Sequence, residues 1–169
     1  MTRALAFALA LAIPALSGCT GTAMAHADLP DAAPFDESVS DALYAQELDR
    51  TIAQLEPGRS ALVVIGANWC HDSRALAGWL ETPQFEDLLR REFEVVYVEA
   101  GVPQDGRGRN LDLAERYGIT GIEGTPTVLV VGHTGELLNT PEDAKSWRNA
   151  ASRSEAEIRA TLEDYAARD

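Results

Sequence analysis

Three short apolar runs constrain this chain more than any other feature: "ALVVIGA" (61–67), "EVVYVEA" (94–100) and the run in "TPTVLVV" (125–131). Runs of this kind suit strands buried on both faces, as in the parallel part of an α/β sheet. Helical spacing fills the intervals between them. Leu43, Leu48, Ile52 and Leu55 predict an amphipathic helix over 41–55, stopped by Pro57 and Gly58. Leu76, Trp79 and Leu80, then Phe85, Leu88 and Leu89, predict helix over 71–93, with a kink or restart at Pro83. "LDLAERYGI" reads as a short helix with Asn110 as its N-cap and Gly118 as its stop. After the third run, "GHTGELLN" reads as a turn and a fourth strand. One short and one longer helix close the chain, with Ser154 and Glu157 as a capping box. The order α-β-α-β-α-β-β-α predicts an α/β fold with helices on both faces of a sheet whose core is parallel. Trp79, Trp147 and Tyr165 are expected as core or half-buried packing residues.

The first part of the chain reads as export machinery rather than fold. Arg3 precedes the apolar run "ALAFALALAIPAL" (4–16), which has the length of a signal-peptide h-region and is short for a membrane span. Two exits compete. "LSGC" ends at Cys19 and resembles a bacterial lipobox, in which the cysteine is lipidated; "AHA" ends at Ala27 and suits ordinary signal peptidase. The lipobox lies directly after the apolar run and is the favoured exit, giving a signal peptide over 1–18. Residues 19–38, rich in Ala, Pro and Asp, then read as a flexible tether, with the folded domain over 39–169. Lipid on Cys19 would anchor the domain to a membrane of the bacterial envelope, facing the periplasm. Cleavage after Ala27 would leave it soluble there. Either exit leads to an oxidising compartment.

Of the two cysteines, Cys19 and Cys70, lipidation of the first leaves Cys70 as the only thiol. It stands in "ANWCHDSRAL" (67–76), directly after a predicted buried strand and at the predicted start of a helix. Unpaired backbone N–H groups and the positive end of the helix dipole favour a thiolate at such a position. Trp69 can shield one side of it, and Arg74 and His71 add positive character.

"WCHDS" after the strand "LVVIGAN", together with "GTPT" (124–127) opening a later strand, resembles the thioredoxin superfamily. The resemblance covers residue 39 to the C-terminus and implies a thioredoxin-like three-layer α/β/α fold with a mixed central sheet. It implies that Cys70 is the nucleophilic cysteine, Trp69 the flanking tryptophan and Pro126 the cis-proline. Thr125 then becomes the residue whose backbone pairs with an extended peptide. Two departures accompany the match. Ser73 stands where the family carries its second, resolving cysteine, and a hydroxyl is too weak an acid and too poor a nucleophile to finish thiol–disulfide exchange. It is expected instead to hydrogen-bond the Cys70 sulfur. Val64 stands where thioredoxins carry a buried, proton-shuttling Asp, and its strand has no carboxylate.

The chemistry expected is monothiol exchange with client thiols or disulfides. Cys70 forms a mixed disulfide that the client's own thiol or an external reductant must break. The alternative is a redox-inactive peptide-binding module on the same fold. No cofactor and no metal are expected: Cys70, His71 and Asp72 are adjacent at a helix start, and neither His133 nor His26 completes a ligand pair with metal spacing. The formal net charge of -13 argues against nucleic acid as a partner. "QDGRGRN" (104–110) lacks the spacing of a phosphate loop and reads as surface, and the carboxylates read as solvated helix faces.

Overall fold

The computed structural model describes residues 32–168. The lipobox with Cys19, the A-x-A site ending at Ala27, and His26 lie outside the described residues.

Strand β1 (Ser60–Gly66) is buried along its whole length and forms the centre of a three-stranded sheet. It pairs in parallel with β2 (Phe93–Glu99), Gly66 standing opposite Glu99, and antiparallel with the strand Thr127–Val131 on its other side. Alternation along the strands sorts the core into two layers. Leu62, Val64, Val128 and Val130 face one layer, filled by Phe35, Trp79, Phe85, Trp147 and Tyr165. Ala61, Val63, Ile65, Leu129 and Val131 face the other, with Tyr44, Leu48, Leu113 and Ile119. The architecture is thus α/β/α with a mixed sheet.

Helix α1 (Asp41–Gln54) is capped by Ser40, whose Oγ accepts from the Leu43 N–H. Its buried stripe is Tyr44, Leu48 and Thr51, whereas Leu43 is 55% exposed. The expected apolar stripe is therefore turned by one residue, because Tyr44 rather than Leu43 shares a face with Leu48. Helices α2 (His71–Leu80) and α3 (Pro83–Glu92) are separate, with Pro83 at the first position of the second. A proline there loses no helical hydrogen bond. Between β2 and the short helix α4 (Leu111–Glu115), the glycine-rich segment folds into a small hairpin of β3 (Gly101–Val102) and β4 (Arg107–Gly108). Asn110 occupies the N-cap position but makes no cap bond; its side-chain amide donates to the Glu99 carbonyl at 2.7 Å instead.

Beyond β5 (Thr127–Val131), the expected fourth strand shrinks to one bridge between Val131 and Leu137. Its place is taken by a side chain. Asn139 Oδ1 accepts from the Val130 N–H, and Asn139 Nδ2 donates to the Val128 carbonyl, both at 2.9 Å and both buried. One amide supplies the donor and acceptor that a neighbouring strand would have supplied. Helices α5 (Pro141–Ser146) and α6 (Glu155–Ala166) both begin with capping boxes, Thr140 with Asp143 and Ser154 with Glu157. A 3-10 segment, Trp147–Ser152, joins them.

The domain also begins earlier than its composition suggests. Phe35, inside the stretch expected as tether, is 1% exposed and packs edge-on against Tyr97 at 5.5 Å between ring centroids. Burying one such ring contributes roughly 2–3 kcal/mol, enough to fix the segment that carries it.

Candidate functional site

The turn that follows β1 carries the thiol. The Cys70 N–H donates to the Ala67 carbonyl at 3.0 Å, and the Arg74 N–H donates to the Cys70 carbonyl at 3.1 Å, so Cys70 is the N-cap of α2. It is a free cysteine, 9% exposed. Its Sγ donates to the Thr125 carbonyl at 3.3 Å, and the Thr125–Pro126 peptide bond is cis. Strand β5 thereby delivers Thr125 and Pro126 against the sulfur. The outward backbone groups of Val128 and Val130 are covered by Asn139, and the Thr125–Pro126 segment precedes that cover.

Other contacts pin this turn. Asn68 exchanges two hydrogen bonds with the Phe35 backbone, at 3.1 and 2.6 Å. Asp72 Oδ1 accepts from the Ala151 N–H at 2.8 Å, tying the first turn of α2 to the 3-10 segment. Trp69 is 46% exposed, and its indole N–H donates to the Gly101 carbonyl at 3.0 Å.

Ser73 differs from expectation. It is 0% exposed, and its Oγ has no hydrogen-bond partner, so it does not bond the Cys70 sulfur. The hydroxyl lies toward Gly66: a Cβ built there would sit 2.8 Å from Ser73 Oγ and 2.7 Å from the Phe35 ring. Space forces the orientation. Gly66 lets Phe35 and Ser73 close over the end of β1, and the hydroxyl follows that packing.

The strand position occupied by Val64 is fully buried and apolar, as its sequence implies. A carboxyl group nevertheless stands at the edge of the site, contributed by β2. Glu99 is 2% exposed; its Oε1 accepts from the Gly101 N–H at 2.8 Å, and its Oε2 is buried without a partner. Burial pushes its pKa up; the Gly101 hydrogen bond opposes this, Glu37 adds to it, and Arg109 opposes it. Glu99, Trp69, Gly101, Val102, Glu37 and Arg109 line a cleft of about 180 Å³. Arg109 is itself held by Asp41 and by the carbonyls of Glu37 and Val39. Sequence reasoning missed Glu99 because an acid at a strand end reads as solvated. The only signal was its position beside the glycine that starts the loop.

His71 is exposed and Arg74 half-buried in the first turn of α2. Among the described residues no group of three or more His, Cys, Asp or Glu side chains is arranged to hold a metal ion. Among them, too, no helix is long and apolar enough to cross a membrane.

A cysteine at the N-cap of the helix after the central strand, bonded to the carbonyl before a cis-proline, sits here in a thioredoxin-like fold. The particular likeness agrees. The chain is similar to the crystal structure of a disulphide isomerase from Xylella fastidiosa Temecula1, with a TM-score of 0.65 and 29% sequence identity over 79% of this chain and 96% of that one. This likeness supports the thioredoxin superfamily. No family model matches the chain, and no curated protein matches it.

Proposed function

We propose that the chain performs thiol–disulfide exchange on client proteins through Cys70 alone, as an oxidoreductase or isomerase that depends on a second thiol. The observation that carries this reading is the placement of Cys70, with its sulfur on the Thr125 carbonyl beside cis Pro126. The similarity of the fold to that of a disulphide isomerase supports it.

In the exchange step the Cys70 thiolate attacks one sulfur of a client disulfide along its S–S axis. A Cys70–client S–S bond forms as the client's own S–S bond breaks, and the departing sulfur takes a proton from solvent. The Thr125 carbonyl, which accepts the thiol hydrogen at rest, is released when the proton leaves. Ser73 cannot resolve the product, since its hydroxyl is a poor sulfur nucleophile and is packed toward Gly66. Release therefore takes a second thiol. Attack by another thiolate of the client returns Cys70 and leaves the client isomerised, with no net change in oxidation state. Attack by an external dithiol frees the client as a thiol; the reductant then closes its own disulfide, giving up two electrons as the client gains two. An extended client segment lies along Thr125, in the stretch that leads into β5 ahead of the Asn139 cover.

The apolar run 4–16 and the motifs ending at Cys19 and Ala27 support export to the oxidising bacterial envelope. Lipid on Cys19 then tethers the domain to a membrane. Alternatively, cleavage after Ala27 frees it into the periplasm.

Exposure to two single-cysteine peptides joined by one disulfide, whose leaving thiol is not tethered to the adduct, tests the chemistry. Wild type is expected to form a covalent adduct that maps to Cys70, and Cys70→Ala to form none there. A wild type that binds the peptides without any adduct at Cys70 is a peptide-binding module and not an exchange protein.

A further inference from the structure

Among the described residues Glu99 is the only charged side chain that is buried. Its neighbours Val98 and Ala100 are buried apolar groups of one core layer, and Tyr97 packs against the other. A carboxylate with one bare, buried oxygen costs stability that an apolar residue would not. Such costs concentrate where they serve a site. The hydrogen bonds around Glu99 lead toward the thiol. Its Oε1 accepts the Gly101 N–H at 2.8 Å, and the Gly101 carbonyl accepts the Trp69 indole N–H at 3.0 Å. Trp69 directly precedes Cys70. Gly101 has φ +63°, and a Cβ there would lie 2.4 Å from the Arg107 carbonyl, so its backbone has little room to turn.

We propose that Glu99 is a positioning residue for the Cys70 site, its carboxylate acting through the Gly101 backbone to hold the indole of Trp69, the residue that directly precedes the thiol. The link from Glu99 to Trp69 is independent of what Cys70 does; its importance for catalysis rests on the exchange reading above. An ionised acceptor makes roughly twice as strong a hydrogen bond as a neutral one, so protonation loosens the hold on Gly101 and then on Trp69. The charged and titratable groups facing Glu99 are Glu37 from the N-terminal segment, Tyr44 from α1, and Arg109 after β4. Arg109 is paired to Asp41. Burial and Glu37 together place the protonation of Glu99 above the ordinary glutamate range, which the Gly101 and Arg109 contributions only partly offset.

Acrylamide quenching of tryptophan fluorescence reads this directly. Trp79 and Trp147 are 0% exposed, so quenching reports Trp69, which is 46% exposed. Release of Trp69 from half to full exposure is expected to raise the quenching constant about twofold. Glu99→Ala should show the raised value at every pH. Wild type should move toward it on acidification from about pH 8 to about pH 4, the range that spans a raised glutamate pKa. Glu99→Gln offers the Gly101 N–H only a neutral acceptor, as protonated Glu99 does, and should show the acidified wild-type value with no pH dependence. A flat wild-type profile overturns the proposal, as does a folded Glu99→Ala with wild-type quenching. Should Glu99→Ala fail to fold, the wild-type and Glu99→Gln profiles decide alone. The rate of Cys70 adduct formation is measured in parallel. Absent adducts with the expected quenching refute the exchange chemistry and leave the positioning intact; normal adducts with flat quenching do the reverse.

Discussion

The thiol turn has two unlike flanks. On the β5 side lie an apolar strand, the Thr125 carbonyl and cis Pro126, with Asn139 covering the strand beyond them. Every partner there is a backbone group or a neutral amide, insensitive to pH. On the β2 side lie Glu99, Gly101 and the indole of Trp69, joined by hydrogen bonds that begin at a buried carboxyl. One flank offers the fixed geometry that a client chain can lie along. The other makes the anchoring of Trp69, the residue before the thiol, depend on the state of one acid. The difference teaches that rigidity at a single site can come from two sources, one permanent and one titratable.

Predictions that separate the flanks begin with the largest. Asn139→Ala strips the buried Val130 N–H and Val128 carbonyl of their partners and should destabilise the fold by about 2–4 kcal/mol, read from the denaturant midpoint. Trp69 quenching should stay unchanged; a rise would show that the flanks are coupled through the sheet. Gly101→Ala acts on the other side. With φ +63° and a backbone oxygen in the way, it should cost about 1–3 kcal/mol and raise Trp69 quenching as well. A stable Gly101→Ala with wild-type quenching would remove Gly101 from the link.

The smallest effect is the pH dependence of stability from Glu99. Its folded pKa is raised, so the folded chain binds more protons than the unfolded one just above the ordinary glutamate value. The favourable contribution is complete below the unfolded pKa and is lost as pH rises through the folded pKa. Glu99→Gln lacks this component. Its urea midpoint should therefore gain on that of wild type as pH rises toward neutral, and a constant gap would contradict the assignment.

The contrast between flanks is also a contrast in legibility. The β5 flank and the thiol were visible in sequence because they are local: an apolar run, a Trp and Cys at a helix start, and a Thr-Pro-Thr triplet. Glu99 was not, because only the register that sets Gly66 opposite Glu99, together with the hairpin of β3 and β4, turns an ordinary strand-end acid into a buried one. Phe35 escaped for the same reason, being a single ring in a polar stretch whose value depends on a distant partner, Tyr97. Asn139 replaced a strand that the apolar residues around it had suggested. Ser73 was placed correctly on α2, but its hydroxyl direction was set by space at Gly66 and not by attraction to the sulfur.

The central claim is that Cys70 forms a bond which this chain cannot break by itself. Intact mass and peptide mapping after exposure to an excess of two single-cysteine peptides joined by one disulfide, followed by removal of that excess and of the released peptide, test it most directly. The account predicts one mixed disulfide at Cys70 that persists until a dithiol is added and then disappears within the mixing time of the reductant. Loss of the adduct without added thiol, or no adduct at Cys70 at all, would contradict it.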